Sequence, residues 1–316
     1  MSQNILKMAR KSRICSEMKF ATIILTCLSA VVQAAPMQFV SHAGDQFSAP
    51  GHSIPAYEVA IRRQADFLKL DLHLTRDNVI VMMHDPNTRK KMDKDLKISS
   101  HTYQELLDGC TYRPVGGFDK EKIVRMEQAL ELVKDKPISL WLDLKGFSAG
   151  KSDRSAMLAD HAMALTRQYG IGKERLIVAT WSHHALEYMK KHYPEVRRVL
   201  HVVMDPKNGN MCLLNAEKDP SKRLIKPENI LSSLAKRGEE LDLYGFNISI
   251  GSPFFSRELV QALKAKGYWV SVWFVQNKKD TVKAVKAGAD AVVTDNLKIV
   301  QPAARMTVLK NKKQGD

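Results

Sequence analysis

The sequence lacks the features that define several large classes of protein. No internal run approaches the roughly 18 consecutive apolar residues of a membrane-spanning helix. Only four of the 316 residues are cysteine, too few for a disulfide-stapled scaffold. Cys110 and Cys212 lie beyond the N-terminal segment, and the sequence leaves open whether they pair. No Gly-rich phosphate loop follows the first predicted strand, which disfavours a dinucleotide-binding sheet.

Basic residues outnumber acidic ones but are not arranged as a nucleic-acid platform. The chain has 49 Lys and Arg against 34 Asp and Glu, for a net charge of +15. The local basic clusters at residues 89–97 and 310–313 have no interleaved aromatic residues. We therefore expect no nucleic-acid partner. A basic surface instead favours phosphate-bearing substrates and peripheral contact with an anionic membrane surface.

The first 34 residues have the pattern of a cleavable secretory signal. A basic stretch at residues 7–19 precedes the apolar segment 20–32, and small residues stand at the −3 and −1 positions of a cleavage site after Ala34. We predict a signal peptide at residues 1–34, with Met18 as an alternative start; a buried N-terminal helix is the other interpretation. Removing its five Lys and Arg and one Glu lowers the net charge from +15 to +11. The mature protein is then secreted or periplasmic.

Short β-branched runs alternate with helical patterns through most of the chain. Eight main strands are predicted, at residues 39–42, 67–74, 139–145, 176–179, 198–204, 244–248, 269–275 and 291–294. This alternation is typical of an α/β fold of the (β/α)8, or TIM, barrel type. An open doubly wound sheet is the alternative. We predict a barrel domain at residues 35–300 and a basic tail at residues 301–316.

A hairpin and an insertion interrupt the alternation. Only four residues separate the strand at 67–74 from a second run at 79–84, so these two must form an antiparallel β-hairpin. His84 ends the returning arm, and its place depends on whether the hairpin bends over the mouth of the barrel. Residues 86–125 are predicted to be an irregular insertion after the hairpin.

Titratable residues stand where the predicted strands end. His42 ends the first strand, Asp71 lies near the end of the second, and Asp143 and Lys145 end the third. Lys69 shares a strand face with Asp71, because alternate residues of a strand point the same way. The active site of such a barrel lies at these strand ends. Charged groups that point inward are costly unless they are paired or bind a ligand, so we predict a site here.

These residues belong to a longer ordered set of motifs. The chain reads, in order, His42-Ala43-Gly44, Pro50-Gly51-His52-Ser53, Lys69-Leu70-Asp71, His84-Asp85-Pro86, Asp143-Leu144-Lys145, Val272-Trp273-Phe274-Val275 and Gly288-Ala289-Asp290, ending in Thr294-Asp295. The set resembles the glycerophosphodiester phosphodiesterase family, whose corresponding motifs are H-R-G, P-E-N-T, E-L-D, H-D-P, E-I-K, V-W-T-V and G-(A/V)-D, ending in T-D. The resemblance extends over about residues 39 to 297 and implies a TIM barrel.

The resemblance implies a phosphodiester hydrolase acting on glycerophosphodiesters or a related lipid-derived phosphodiester. His42 and His84 fall at the positions of the general acid and base. An imidazole suits both roles because its ordinary pKa, near 6.5, lets it give and take a proton at neutral pH. Lys145 would face the phosphate oxygens, and Trp273 would form an aromatic wall of the substrate site.

The same resemblance implies one divalent cation, Ca2+ or Mg2+, on Asp71 and Asp143, but the chain departs from the family around it. Lys69 replaces a glutamate ligand, Ala43 replaces an arginine and Gly51 replaces a glutamate. Two carboxylates beside an ammonium should hold such a cation weakly. A fixed ammonium can itself stabilise charge on phosphate oxygens, and bacterial phosphatidylinositol-specific phospholipases C resemble this arrangement. We therefore expect Lys69 to contact the substrate and metal dependence to be reduced or absent.

Two other functions remain open from the sequence. In a phospholipase-C-like reaction, a neighbouring hydroxyl of the substrate would attack and release a cyclic phosphate. Alternatively, the altered motifs would belong to a non-catalytic barrel that binds phosphate-bearing ligands, although both histidines are retained. The sequence does not specify the substrate alcohols or the oligomeric state.

Overall fold

The computed structural model describes residues 36–145, 152–204, 211–212, 224–225 and 227–314. The predicted signal peptide lies outside the described residues. The strands within these ranges are β1 (Gln38–His42), β2 (Phe67–Leu74), β3 (Ile80–Met82), β4 (Ser139–Leu144), β5 (Leu176–Thr180), β6 (Arg197–Met204), β7 (Met211–Cys212), β8 (Leu224–Ile225), β9 (Gly245–Ser249), β10 (Trp269–Trp273) and β11 (Ala291–Thr294).

The pairing order confirms the predicted TIM barrel. Neighbouring strands pair in parallel in the order β1, β2, β4, β5, β6, β9, β10, β11. Strand β11 then pairs with β1, joining Gln38 to Ala291 and Ser41 to Thr294. Closure removes the open edges of the sheet and brings all eight carboxyl ends to one mouth.

Helices cover the outside of the barrel. They are α1 (Ile54–Arg62), α2 (Tyr103–Gly109), α3 (Met126–Val133), α4 (Ser152–Gln168), α5 (His183–His192), α6 (Ile230–Glu240), α7 (Arg257–Ala265), α8 (Lys278–Ala287) and α9 (Leu297–Gln314). Strand β2 shows the division between the two faces. Its Leu68, Leu70 and Leu72 join the core beneath the helices, whereas Phe67 packs inside the barrel. No helix among the described residues is both long and apolar enough to cross a membrane.

Helix α9 includes most of the segment that the sequence analysis assigned to a basic tail. It continues to Gln314, and its first half packs against the main core through Leu297, Val300 and Ala304. The half-exposed second half contains Met306 and Leu309. Burial of the first half therefore anchors this end of the chain to the barrel.

The hairpin rises above the barrel mouth and returns to it. Strand β3 pairs antiparallel with only the last three residues of β2, from Leu72 opposite Met82 to Leu74 opposite Ile80. The amide of Met83 then donates to the carbonyl of Asp71 at 3.0 Å. His84 therefore lies level with the upper end of the barrel, which answers the question that the sequence left open.

The insertion after the hairpin has a small core of its own. Val81 and Met83 of the hairpin pack there against Met92, Leu106 and other apolar residues. Helix α2 begins at a capping box, in which Thr102 and Glu105 each bond the backbone of the other. Cys110 is buried in this core with a free thiol.

Candidate active site

A pocket opens at the carboxyl ends of the barrel strands. Below it, an apolar layer fills the barrel interior, including Val40, Trp141 and Ile177. The pocket is lined by His42, Lys69, His84, Asp143, Lys145, Trp181, His201, Asn247, Trp273, Phe274 and Val293. The structure thus brings six of the seven predicted site residues to one cavity. The seventh, Asp71, is fully buried and bonds to that cavity's lysines.

The two predicted catalytic histidines are neighbours in this pocket. The ring centroids of His42 and His84 lie 5.7 Å apart, with the ring planes at 79°. His42 Nδ1 donates to Asp295 Oδ1 at 2.8 Å, and His84 Nδ1 donates to Asp85 Oδ1 at 2.8 Å. Because an ionised carboxylate can only accept, each Nδ1 carries the proton, and each Nε2 is left to exchange a proton with a ligand.

The two imidazoles differ in their surroundings. His42 is 8% exposed, and burial lowers its pKa below the ordinary value, although the hydrogen bond to Asp295 acts in the opposite direction. The side chain of His84 is 44% exposed. A buried neutral imidazole is suited to accept a proton, whereas a solvent-exposed one exchanges protons readily with water.

Below the histidines, two lysines and two aspartates form a closed group of alternating charges. The Lys69 ammonium donates to the Asp71 carboxylate and, at 2.7 Å, to Asp143 Oδ2. The Lys145 ammonium lies 2.8 Å from Asp143 Oδ2 and 3.1 Å from Asp71 Oδ1. All four side chains are buried. Charges that are buried in this way are stable because each has partners of opposite sign.

The opposite charges in this group hold Asp71, Asp143 and Lys145 in their ionised forms. Burial alone would raise the pKa of Asp71 and of Asp143, but the ammonium groups of Lys145 and Lys69 lower both pKa values well below the ordinary range. Burial would likewise lower the pKa of Lys145, and the two carboxylates raise it instead. The Lys145 ammonium at the base of the pocket is therefore charged at neutral pH.

The carboxylates do not fit a divalent cation in this arrangement. Both are already bonded to the ammonium groups of Lys69 and Lys145, so positive charge fills the space between them. In the part of the chain that the structure describes, no group of three or more His, Cys, Asp or Glu side chains is arranged to hold a metal ion. The nitrogen of Lys69 lies between the two carboxylates that the resemblance assigned to the metal.

Sequence reasoning did not assign a role to the histidine that orients Asp71. His52 Nε2 donates to Asp71 Oδ2 at 2.9 Å, and its Nδ1 accepts from the Tyr57 hydroxyl at 2.9 Å. Burial lowers the pKa of His52 to about 4, so the ring is neutral. Its positive φ of 68° is unusual for a residue with a side chain. The sequence signal for His52 was its place in the motif Pro50-Gly51-His52-Ser53.

On the opposite carboxylate, His201 was also missed. Its Nε2 lies 3.4 Å from Asp143 Oδ2, and its Nδ1 is bonded to the Asn247 side chain at 2.8 Å. Burial lowers its pKa below the ordinary value. Strand alternation places His201 on the same face as Val199, which packs inside the barrel. That alternation could have identified it, but its partners come from strands that are distant in the sequence.

Aromatic side chains form the upper walls of the pocket. Trp273 and Phe274 line one side, and the His42 ring packs edge-on against Phe274 at 5.0 Å between centroids. The Lys145 ammonium faces the ring of Trp181, 5.2 Å from the ring centroid. A ligand here therefore meets cations at its base, imidazoles at one side and apolar faces around its rim.

Comparisons with known proteins agree with this architecture. A model of the glycerophosphoryl diester phosphodiesterase family matches residues 42–299 of the chain. A glycerophosphodiester phosphodiesterase from Caldanaerobacter subterraneus subsp. tengcongensis is 25% identical over 260 residues, covering 81% of this chain and 93% of that protein. The same enzyme from Bacillus altitudinis is 21% identical over 260 residues, with coverage of 81% and 93%.

Solved structures share the fold. A phosphodiesterase from Oleispira antarctica, in complex with the product sn-glycerol-3-phosphate, aligns with a TM-score of 0.69 at 22% identity, covering 84% of this chain and 96% of that one. A glycerophosphodiester phosphodiesterase from Thermotoga maritima aligns with a TM-score of 0.60 at 18% identity, covering 83% and 95%. At these identities the likeness shows a common barrel.

Proposed function

The chain belongs to the glycerophosphoryl diester phosphodiesterase family and is a phosphoric diester hydrolase, and from this we propose that it hydrolyses glycerophosphodiesters or a related lipid-derived phosphodiester by acid–base catalysis with two histidines. One observation carries the proposal. His42 and His84 lie 5.7 Å apart in a pocket that also contains the Lys69 and Lys145 ammonium groups.

In the proposed reaction, His42 Nε2 takes a proton from water as the water oxygen attacks phosphorus. A new P–O bond forms, the ester P–O bond breaks, and His84 Nε2 gives a proton to the departing alcohol oxygen. The products are a phosphate monoester and an alcohol. The buried, neutral state of His42 supports its role as base, and the solvent exposure of His84 supports its reprotonation from water after each turnover.

The lysines supply the positive charge that this reaction needs. Negative charge grows on the phosphate oxygens in the transition state, and donors fixed in a water-poor pocket stabilise it strongly. Lys69 and Lys145 are held in place by Asp71 and Asp143, and both line the pocket. Trp273 contributes an aromatic face beside the substrate. We propose that the Lys69 ammonium performs the charge-stabilising role of a divalent cation and that the reaction needs no added metal.

Mutation of the two histidines tests the proposed activity. Wild-type protein should convert glycerophosphoethanolamine to a phosphate monoester. Phosphorus NMR measures this conversion and also distinguishes a cyclic phosphate from a phosphate monoester. Because each imidazole transfers a proton, His42→Ala and His84→Ala should each lower kcat/KM by about 10²–10⁴-fold.

A matched control removes a histidine outside the pocket. The side chain of His184 on α5 is 48% exposed, so His184→Ala should retain wild-type activity. Wild-type rates in the His42→Ala and His84→Ala proteins would contradict the proposal. Detection of a cyclic phosphate product would show that a hydroxyl of the substrate, and not water, attacks phosphorus.

Export and membrane contact complete the proposal. The basic and apolar pattern of residues 1–34 supports export to a secreted or periplasmic location, and N-terminal sequencing of the mature protein should begin at Ala35. The full chain has a net charge of +15 and the signal a charge of +4, so the mature protein has a net charge of +11. This positive charge supports peripheral contact with an anionic membrane surface.

A further inference from the structure

An exposed phenylalanine lies in the loop after β1, at the end of the barrel where the active-site pocket opens. Phe47 is 64% exposed and lies in the loop that joins β1 to α1, beside Gln46. Gln46 Nε2 donates to the carbonyl of His42 at 3.1 Å and to the Asp295 carboxylate. Phe47 therefore follows a residue that is bonded to the backbone of His42, and its side chain is largely exposed to solvent.

The position of Phe47 is distinctive among exposed apolar side chains. Tyr244 precedes β9, at the opposite end of the barrel from the pocket. In the described ranges, the other large apolar side chains that are exposed lie on helix α9: Met306, Val308 and Leu309. Phe47 is thus the one that a surface approaching the active-site mouth would meet. Burying a phenylalanine side chain in an apolar medium is favourable.

Basic side chains of the insertion surround this loop. The Lys91 ammonium donates to Gln46 Oε1 at 2.7 Å. The backbone amide of Arg113 donates to the carbonyl of Lys91 at 2.9 Å. The Arg113 guanidinium donates to the carbonyl of Lys90, also at 2.9 Å. All three basic side chains are exposed. They form a cationic border beside an apolar tip.

The insertion also packs closely against the Phe47 loop from the other side. A Cβ atom added to Gly116 would lie 2.0 Å from the carbonyl oxygen of Ser48, so the two backbones are in direct contact. Lys90 in turn pairs with Asp85 at 2.8 Å, and Asp85 accepts the hydrogen bond from His84. The apolar tip, the cationic border and the catalytic histidines therefore belong to one continuous face.

We propose that this face docks on an anionic lipid bilayer, with Phe47 inserted among the head groups and Lys90, Lys91 and Arg113 on lipid phosphates. An apolar anchor flanked by cations is the combination that binds proteins to anionic interfaces. The inference rests on the proposed function and specifies the surface through which the enzyme meets an anionic membrane.

Vesicle binding tests the proposal independently of hydrolysis. Binding of the mature protein to phosphatidylcholine vesicles should rise when phosphatidylglycerol is included and should fall with added salt. Phe47→Ser should weaken binding to the mixed vesicles by about tenfold, from the loss of apolar burial. A Lys91→Gln/Arg113→Gln double variant should weaken it by a similar factor of about ten or more, from the loss of two charges.

Met306→Ser is the matched control, because Met306 is 59% exposed on α9 and lies off the proposed face. It should bind vesicles as the wild type does. Equal binding by Phe47→Ser and wild type, or equal losses in Phe47→Ser and Met306→Ser, would overturn the proposal. Slower hydrolysis of soluble glycerophosphoethanolamine by Phe47→Ser, with unchanged vesicle binding, would show that Phe47 closes over the substrate instead. Failure of the hydrolase proposal would appear separately, as inactivity with intact vesicle binding.

Discussion

Each catalytic imidazole is paired with its own carboxylate. Asp295 accepts from His42 Nδ1 and Asp85 accepts from His84 Nδ1, both at 2.8 Å. The first pair joins residues at opposite ends of the chain, and barrel closure through β1 and β11 creates it. Motif order could therefore identify His42 and the Thr-Asp motif that ends in Asp295 separately, but could not show that they are in contact. His52 and His201 escaped prediction for the same reason.

Asp295→Asn tests how the first pair acts. The Asp295 carboxylate raises the pKa of His42, against the lowering caused by burial. Its loss should shift the acid limb of the kcat/KM profile to lower pH, because a base with a lower pKa stays neutral further into acid. The amide can also donate to Nδ1 and leave the proton on Nε2, so kcat/KM should fall by about 10²–10⁴-fold at neutral pH.

Asp290→Asn is the control for this change, because Asp290 lies just before β11, at the other end of the same strand, and pairs with Lys264 at 2.6 Å. It should keep the wild-type acid limb. An unchanged pH profile in Asp295→Asn would show that the carboxylate does not act on the His42 base.

At the scale of elements, strongly patterned segments were the most predictable. The boundaries of β2 (Phe67–Leu74) and β11 (Ala291–Thr294) match the prediction to the residue. Residues 301–316 were predicted to be a basic tail, but helix α9 includes them as far as Gln314, with Pro302 inside the helix. Tertiary contact decides its conformation instead, since Val300 and Ala304 are buried against the main core. The hairpin was predictable from its short turn, but its height above the barrel depends on the β2–β3 register.

The loop after β1 depends on a glycine for its path. Gly44 has a φ of +82°, and an added Cβ would lie 2.6–2.8 Å from atoms of Ala56 in α1. Gly44→Ala should lower the free energy of unfolding by about 1–2 kcal/mol for the left-handed backbone and by a further 1–3 kcal/mol or so for overpacking. Urea unfolding, with the midpoint and slope fitted together, measures the loss.

Gly267 supplies the control for the steric part of this loss. It has a φ of +89°, but nothing lies within 4 Å of an added Cβ. Gly267→Ala should therefore cost only the backbone strain of about 1–2 kcal/mol. Equal losses in the two variants would show that the contact with Ala56 does not limit the loop.

At the scale of the whole molecule, alternation of strands and helices was enough to predict the barrel. Its eight parallel strands and their closure follow from counting segments and from burial of each strand's outer face against helices. The excursion between β6 and α6 was not predicted, because its strands β7 and β8 have two residues each. Closure gathers residues from most of the chain into one pocket, and the resulting site contains its own fixed cations.

Hydrolysis under chelation tests whether the Lys69 ammonium takes the place of a divalent cation. Wild-type protein assayed on glycerophosphoethanolamine in excess EDTA should keep its kcat/KM within about twofold, because the Lys69 ammonium supplies the charge on the phosphate oxygens. Lys69→Met should lose about 10²-fold or more under the same conditions. Lys69→Glu should be inactive in EDTA and should gain activity on addition of Ca2+ or Mg2+, since it adds a third carboxylate beside Asp71 and Asp143. Complete loss of wild-type activity in EDTA, restored by Ca2+ or Mg2+, would show instead that the reaction depends on a divalent cation.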